Sequence, residues 1–164
     1  MSDGRTEMTD VERETLDVVA AHRQLYLESG GTDGHVRDFT FVGGHAFGPS
    51  LLIETFGRKS GERRVAPLCY GFLGGEAIIA ASKGGADVNP GWYFNLKDMD
   101  EVVFQIATQA WRATWREPTG AERQKVWDYM VDVFPPYTAY QAGTDREIPI
   151  VMLKPVEAVE VLKP

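Results

Sequence analysis

The chain has 164 residues, 43% of them hydrophobic and 25% charged, the length and make-up of one soluble domain whose core needs neither disulfides nor metals. Its 24 acidic residues against 17 basic ones give a formal net charge of −7, which excludes the broad Lys and Arg excess on which nucleic-acid binders rely. One cysteine, Cys69, precludes an internal disulfide. No stretch approaches the ~20 apolar residues of a membrane span, and MSDGRTEMTD lacks a signal peptide's apolar core, so the expectation is a cytoplasmic domain.

Thr9-Asp10-Val11-Glu12 has the S/T-x-x-E spacing of a capping box. Behind it Val11, Thr15, Val18, Val19, His22, Leu25 and Tyr26 recur near helical spacing, predicting a helix to about Glu28. Its mainly acidic charge does not suit an anionic membrane surface. Gly30, Gly31 and Gly34 end it, and a short extended piece, DFTFVG, is expected next. Residues 1–40 thus read as an N-terminal helix and linker, and 41–164 as the body of the domain.

Five strand-like runs follow: 50–56, 64–73, 76–82, 101–107 and 110–117. Gly74-Gly75 and, more weakly, Thr108-Gln109 suit hairpin connections, and such short links require antiparallel pairing. WYFNLKDM (92–99) reads as a short helix. Thr119 and Glu122 repeat the capping-box spacing ahead of a helix to about Phe134, and IPIVMLKP and EAVEVL (148–155 and 157–162) close the chain as strands. A helix, a meander, a second helix and more strands imply an α+β fold, a small antiparallel barrel with flanking helices.

Two stretches carry chemistry. TFGRKSGERRV concentrates Arg58, Lys59, Arg63 and Arg64 in a turn bracketed by Gly57 and Gly61. Such a turn can offer backbone N–H groups and cationic side chains to a phosphate or carboxylate, or it can be a solubilising hairpin that protects a strand edge. ASKGGADVNPGWYFNLK sets Ser82 and Lys83 before two glycines, and Trp92 behind Asn89-Pro90-Gly91. It is neither a Walker loop nor a dinucleotide fingerprint. It can hold a phosphate or ring oxygen, or be a long hairpin whose Trp92 plugs the core. His22, His35 and His45 lack the short spacings of a zinc site, so no metal is expected. Cys69 alternates with its neighbours as a buried small residue, and Trp111 and Trp115 share one strand face as core or rim.

Together GRKSG…RVAPL, ASKGGADVNPGWYFNLK and FPPYTAYQAGTDREIPIVML resemble the deazaflavin-dependent nitroreductase family, over roughly residues 45 to 155. The resemblance implies a split β-barrel that uses reduced coenzyme F-420 and acts on a small electron-poor molecule. It implies that Arg58, Lys59 and Arg64 meet the anionic phospholactyl-polyglutamate tail of F-420, and that Ala81, Ser82 and Lys83 run beside its phosphate and ring. Pro67 would mark an edge or bulge where backbone faces the ligand, and Trp92 would sit near tail or ring. Arg63 has no matching role. Tyr137 and Tyr140, three apart and so on one face of a helix, match tyrosines lining the family's substrate side and can donate a hydrogen bond to a nitro, quinone or enone oxygen. Phe134 replaces a tyrosine and Gly143 a large aromatic of the nitroreductase branch. That substitution widens the expected pocket and favours quinones or enones over nitroimidazoles. The alternatives are an FMN-dependent split-barrel reductase, a non-catalytic deazaflavin carrier, and a protein that binds no such cofactor. Monomer and homodimer remain open.

Overall fold

A computed structural model describes residues 10–164. The first helix, α1, spans Asp10–Glu28; Thr9 of the expected capping box lies outside the described residues. Eight strands follow: β1 (Val36–Arg37), β2 (Gly48–Phe56), β3 (Arg63–Cys69), β4 (Gly71–Leu73), β5 (Glu76–Ala80), β6 (Glu101–Ile106), β7 (Gln109–Arg116) and β8 (Ile150–Val159). Helix α2 (Gly91–Lys97) sits between β5 and β6, and α3 (Gly120–Val133) and α4 (Tyr137–Ala142) between β7 and β8. No helix among the described residues is long and apolar enough to cross a membrane.

Every strand pair is antiparallel, in the order β1-β2-β6-β7-β8-β5-β4, with β3 on β2. The run expected as one strand over 64–73 divides at Tyr70. Its first part pairs with β2 and its second with β5, so the change of partner curls the sheet round towards itself as a split barrel. The two strands expected at the C-terminus are instead one. Arg112 pairs with Glu157 and Ala113 with Pro155, so Val156 is absorbed as a bulge and not as a break.

Strand alternation distributes the apolar residues among three cores. Leu51, Ile53, Ala77, Ile79, Val151 and Leu153 point into the barrel with Phe104, Trp92 and Leu96. Their neighbours Ile78, Ala80, Ile150 and Met152 point outward and meet Val126 and Met130 of α3 and Tyr137 of α4. Leu52 turns out beneath Tyr26 and Leu27 of α1. The Tyr26 hydroxyl donates to Ser50 O at 2.9 Å and accepts from the Ala107 amide at 2.8 Å, tying α1 to the barrel. Trp111 and Trp115 pack half-buried against the barrel core, at its rim.

Two local expectations fail for identifiable reasons. DFTFVG forms a 3₁₀ turn at Thr40–Val42 because the Asp38 carboxylate accepts from the Thr40 amide at 2.8 Å, an Asx turn that competes with extended backbone. Thr119 caps α3 without a side-chain hydrogen bond, and the Glu122 carboxylate that would complete the box pairs with Arg116 at 2.7 Å.

Candidate functional site

The basic turn joins β2 to β3. It is closed by Gly57 N–H to Glu62 O and Gly61 N–H to Gly57 O, both 2.8 Å, and by Glu62 N–H to Ser60 Oγ at 3.1 Å. Buried Asn95 anchors it from α2. Its Oδ1 accepts from the Arg58 amide at 3.2 Å, while its Nδ2 donates to Thr55 Oγ1 at 3.2 Å. The amides of Gly57, Arg58, Gly61 and Glu62 are therefore engaged within the protein, so most of the turn's positive character towards a ligand comes from its side chains. Alternation along β3 sorts the two neighbouring arginines. Arg63 pairs with Glu54 at 2.6 Å, whereas Arg64, with only exposed Glu62 beside it at 2.9 Å, shares a cleft with Arg58, Lys59, Lys83, Asn89 and Phe94. The cleft encloses about 550 Å³. Arg58 lies 4.5 Å above the Phe94 ring, an apolar support that leaves its donors facing the cleft.

Past Lys83 the surroundings become apolar. A second cavity, of about 390 Å³, is lined by Pro67, Cys69, Ser82, Lys83, Trp92, Phe134, Tyr137 and Tyr140, and also by Val19, His22, Arg37, Phe39, Phe41 and Val42. Lys83 belongs to both spaces. It takes a left-handed backbone, φ +46°, a conformation costly for a residue with a side chain and held only by firm surroundings. Those surroundings are Arg146, which donates to Ala86 O at 2.7 Å, Ser82 O and Asn89 Oδ1 at 2.8 Å, and Ala81 O at 3.2 Å. On the other side Gly85, at φ +83°, lies so close to α4 that a Cβ there would come within 2.7 Å of Tyr140 O.

Of the residues singled out in the sequence, Arg58, Lys59, Arg64 and Lys83 meet in the cleft, and Pro67, Ser82, Lys83, Trp92, Tyr137 and Tyr140 in the cavity. Pro67 sits opposite Leu52 on β3, whose only partner is β2, where its missing N–H breaks no ladder. Ala81 is fully buried in the barrel core and lines neither space, its carbonyl accepting from Arg146. Trp92 is both core residue and cavity wall.

Tyr137 and Tyr140 share one face of α4 with ring centroids 6.3 Å apart, backed by Phe134 at 4.8 and 6.0 Å. Burial raises the pKa of both phenols, that of Tyr137 furthest, so they stand as protonated donors near neutral pH. Phe39 meets Phe134 edge-on at 5.3 Å. The wall at Phe134 is thus backed from the N-terminal segment, and Gly143 ends α4 without lining the cavity. Cys69 is half-buried in the cavity wall, and burial pushes its thiol up to about 12. A third concavity, of about 570 Å³ at the start of α3, contains Arg123 and Arg146. Arg123 is engaged by Glu147 at 2.9 Å and Ile148 O at 3.0 Å, and Arg146 by the loop it holds.

Sequence reasoning missed His22, Arg37, Phe39 and Phe41, which come from a segment without recognisable motifs, and the tie made by Arg146, whose only signal was its place in T-D-R.

The fold and this site have counterparts. Residues 23–155 match the family model described as F420H(2)-dependent quinone reductase. An F420H(2)-dependent quinone reductase of Mycobacterium tuberculosis (strain H37Rv) is 35% identical over 141 residues, 84% of this chain and 90% of that one. The solved structure of an F420-H2 dependent reductase (FDR-A) is 39% identical, with TM-score 0.60 over 65% of this chain and 94% of its own. Another, a domain-swapped dimer, is 37% identical, with TM-score 0.62 over 85% of this chain and 99% of its own. HutZ from Vibrio cholerae, at 11% identity and TM-score 0.52, shares the fold alone. With its basic cleft, its apolar cavity and a match over most of its length, this chain belongs to the F420H(2)-dependent quinone reductase family.

Proposed function

We propose that the protein transfers a hydride from reduced coenzyme F-420 to a quinone. The observation that carries the reading is Lys83, which lines both a cationic cleft and an apolar cavity, making one groove that changes from charged to aromatic along its length. Coenzyme F-420 has the same polarity, an anionic tail on a flat tricycle, so the residues present fit it. Arg58, Lys59, Arg64 and Lys83 would hold the tail, each charge-assisted hydrogen bond contributing ~1.5–3 kcal/mol before solvent screening. Ser82, Pro67 and Trp92 would border the ring, with Ala81 buried behind Ser82 and held by Arg146.

Bound there, the reduced cofactor supplies two electrons and a hydrogen as hydride. The protein's share is to orient the acceptor, to exclude water with Phe39, Phe134 and Trp92, and to keep protons at the Tyr137 and Tyr140 hydroxyls for donation to the acceptor oxygen. Both phenols suit that task because burial holds them un-ionised.

Fluorescence titration tests the reading, with F-420 and FMN as ligands for the native chain and for the Arg58→Ala, Lys59→Ala double variant. The expected result is tight binding of F-420 over FMN, weakened at least tenfold in the variant, as loss of two charge-assisted contacts implies, with reduced F-420 then consumed on adding a quinone. Equal binding of FMN and F-420 would favour the FMN reading. F-420 binding without quinone reduction would favour a carrier.

A further inference from the structure

Five arginines, Arg63, Arg64, Arg112, Arg116 and Arg123, each pair with a carboxylate at 2.5–2.9 Å. Arg37 is placed differently. It lines the apolar cavity, and among the described residues its guanidinium meets aromatic faces, Phe39 at 5.8 Å and Phe41 at 5.6 Å, and no carboxylate. The adjacent Asp38 is occupied with the Thr40 amide. Burial lowers the pKa of Arg37 without removing its charge. A half-buried cation with no counter-ion has lost hydration without replacement, and an anion brought to it recovers the difference. Arg58, likewise held on an aromatic face with no carboxylate paired to it among the described residues, lies in the cleft assigned to an anionic tail.

Arg37 is also held in position. Its backbone pairs with Gly48 in β1, and Phe39 is seated where a Cβ on Gly48 would collide with its ring. From Phe39 the aromatic wall continues through Phe134 to Tyr137 and Tyr140. Beside it His22 donates from Nε2 to Gly34 O at 2.7 Å and is kept neutral by burial and by Arg37 itself.

Resting on the proposed quinone reduction, we propose that Arg37 is a catalytic residue whose guanidinium binds the oxyanion formed on the acceptor. When a quinone accepts a hydride, the donor's C–H bond breaks and an O–H bond forms at one quinone oxygen, both carbonyl π bonds are lost as the ring becomes aromatic, and the other oxygen is left negative. A proton then completes the hydroquinone, and the donor that lost the hydride is the species oxidised. The charge on that oxygen exists only as the hydride moves. A fixed guanidinium beside it therefore lowers the barrier more than it tightens binding of the neutral quinone.

Two measurements test this, each on the full chain with Arg37→Gln and Arg37→Lys. The first needs no cofactor. p-Nitrophenol, whose absorbance reports ionisation of its hydroxyl, is titrated with pH in the presence of each protein. The native chain is expected to shift its ionisation to lower pH, Arg37→Lys to retain part of that shift, and Arg37→Gln to return it to the free value. No shift with the native chain, or the same shift in Arg37→Gln, overturns the proposal. In the second, quinone reduction at saturating F-420, Arg37→Gln is expected to lower kcat about tenfold to a hundredfold with KM changed little, for a donor only partly shielded from water. An effect confined to KM overturns it. The F-420 dissociation constant, measured in parallel, should be equal in all three proteins. If native protein fails to bind F-420 the parent reading falls, while the p-nitrophenol result still decides whether Arg37 recognises a phenolate.

Discussion

Single residues decide how this protein responds to pH. His22 donates to a carbonyl at 2.7 Å and His35 contacts the Tyr70 hydroxyl at 2.6 Å, and burial lowers both pKa values below the ordinary 6.5. In the folded chain each imidazole resists protonation, while in the unfolded chain each protonates at its ordinary pKa. Below about 6.5 the unfolded state therefore binds more protons, and stability falls as pH falls through that value. Thermal melts from pH 7.5 to 5 should show the midpoint dropping, with a smaller drop in His22→Gln, His35→Gln; parallel curves would exclude these two residues as the cause. Neither histidine had a readable role in the sequence, because their partners, Gly34 and Tyr70, are not signalled by any spacing. Arg58, Lys59 and Lys83 were legible because their charge is local to a turn. Arg37 was not, since nothing in VRDFT says that among the described residues it will meet aromatic faces and no carboxylate.

At the level of elements, alternating strands were easily read from their apolar periodicity, and α2 and α3 nearly to their ends. Expectations failed at three places: Asp38 closes a 3₁₀ turn, Glu122 pairs with Arg116 in place of completing the α3 capping box, and the strand partner changes at Tyr70. The loop between β5 and α2 depends on tertiary contact in the same way, because Arg146 from beyond α4 gives it four hydrogen bonds. Arg146→Ala should lower stability by ~2–4 kcal/mol, as charge-assisted bonds to otherwise unpaired carbonyls are lost, and should weaken F-420 binding more than tenfold. Arg146→Lys should rescue little, since a single ammonium cannot span the carbonyls that a planar fork reaches. Urea melts and F-420 titration of the two variants check this; unchanged affinity in Arg146→Ala would separate the loop from the cleft.

For the whole molecule, composition pointed to a small acidic domain, and motif order to its barrel. The order in which distant strands pair and the covering of one cavity wall by the N-terminal segment were hidden, because both join residues far apart in sequence. The balance of charge has a measurable effect. Four cations gather in one cleft of a chain with net charge −7, so a multiply charged ligand is attracted locally against an opposing background. Salt shortens the reach of both, from ~10 Å at 0.1 M towards 3 Å at 1 M. Raising KCl from about 0.05 to 0.5 M should weaken F-420 binding roughly tenfold, an effect of several screened contacts, and should weaken it less for an F-420 bearing fewer glutamates. A salt-independent affinity would show that the tail does not use the cleft.

The closeness of Gly85 to Tyr140 O makes the Lys83 turn and the tyrosine helix a single lever. A shift of either is expected to press on the other, because a packed contact leaves little free space between them. Whatever settles that lever from the cleft side presets it for the ligand on the cavity side. By linkage the preference is mutual: the factor by which one ligand tightens the second is the factor by which the second tightens the first.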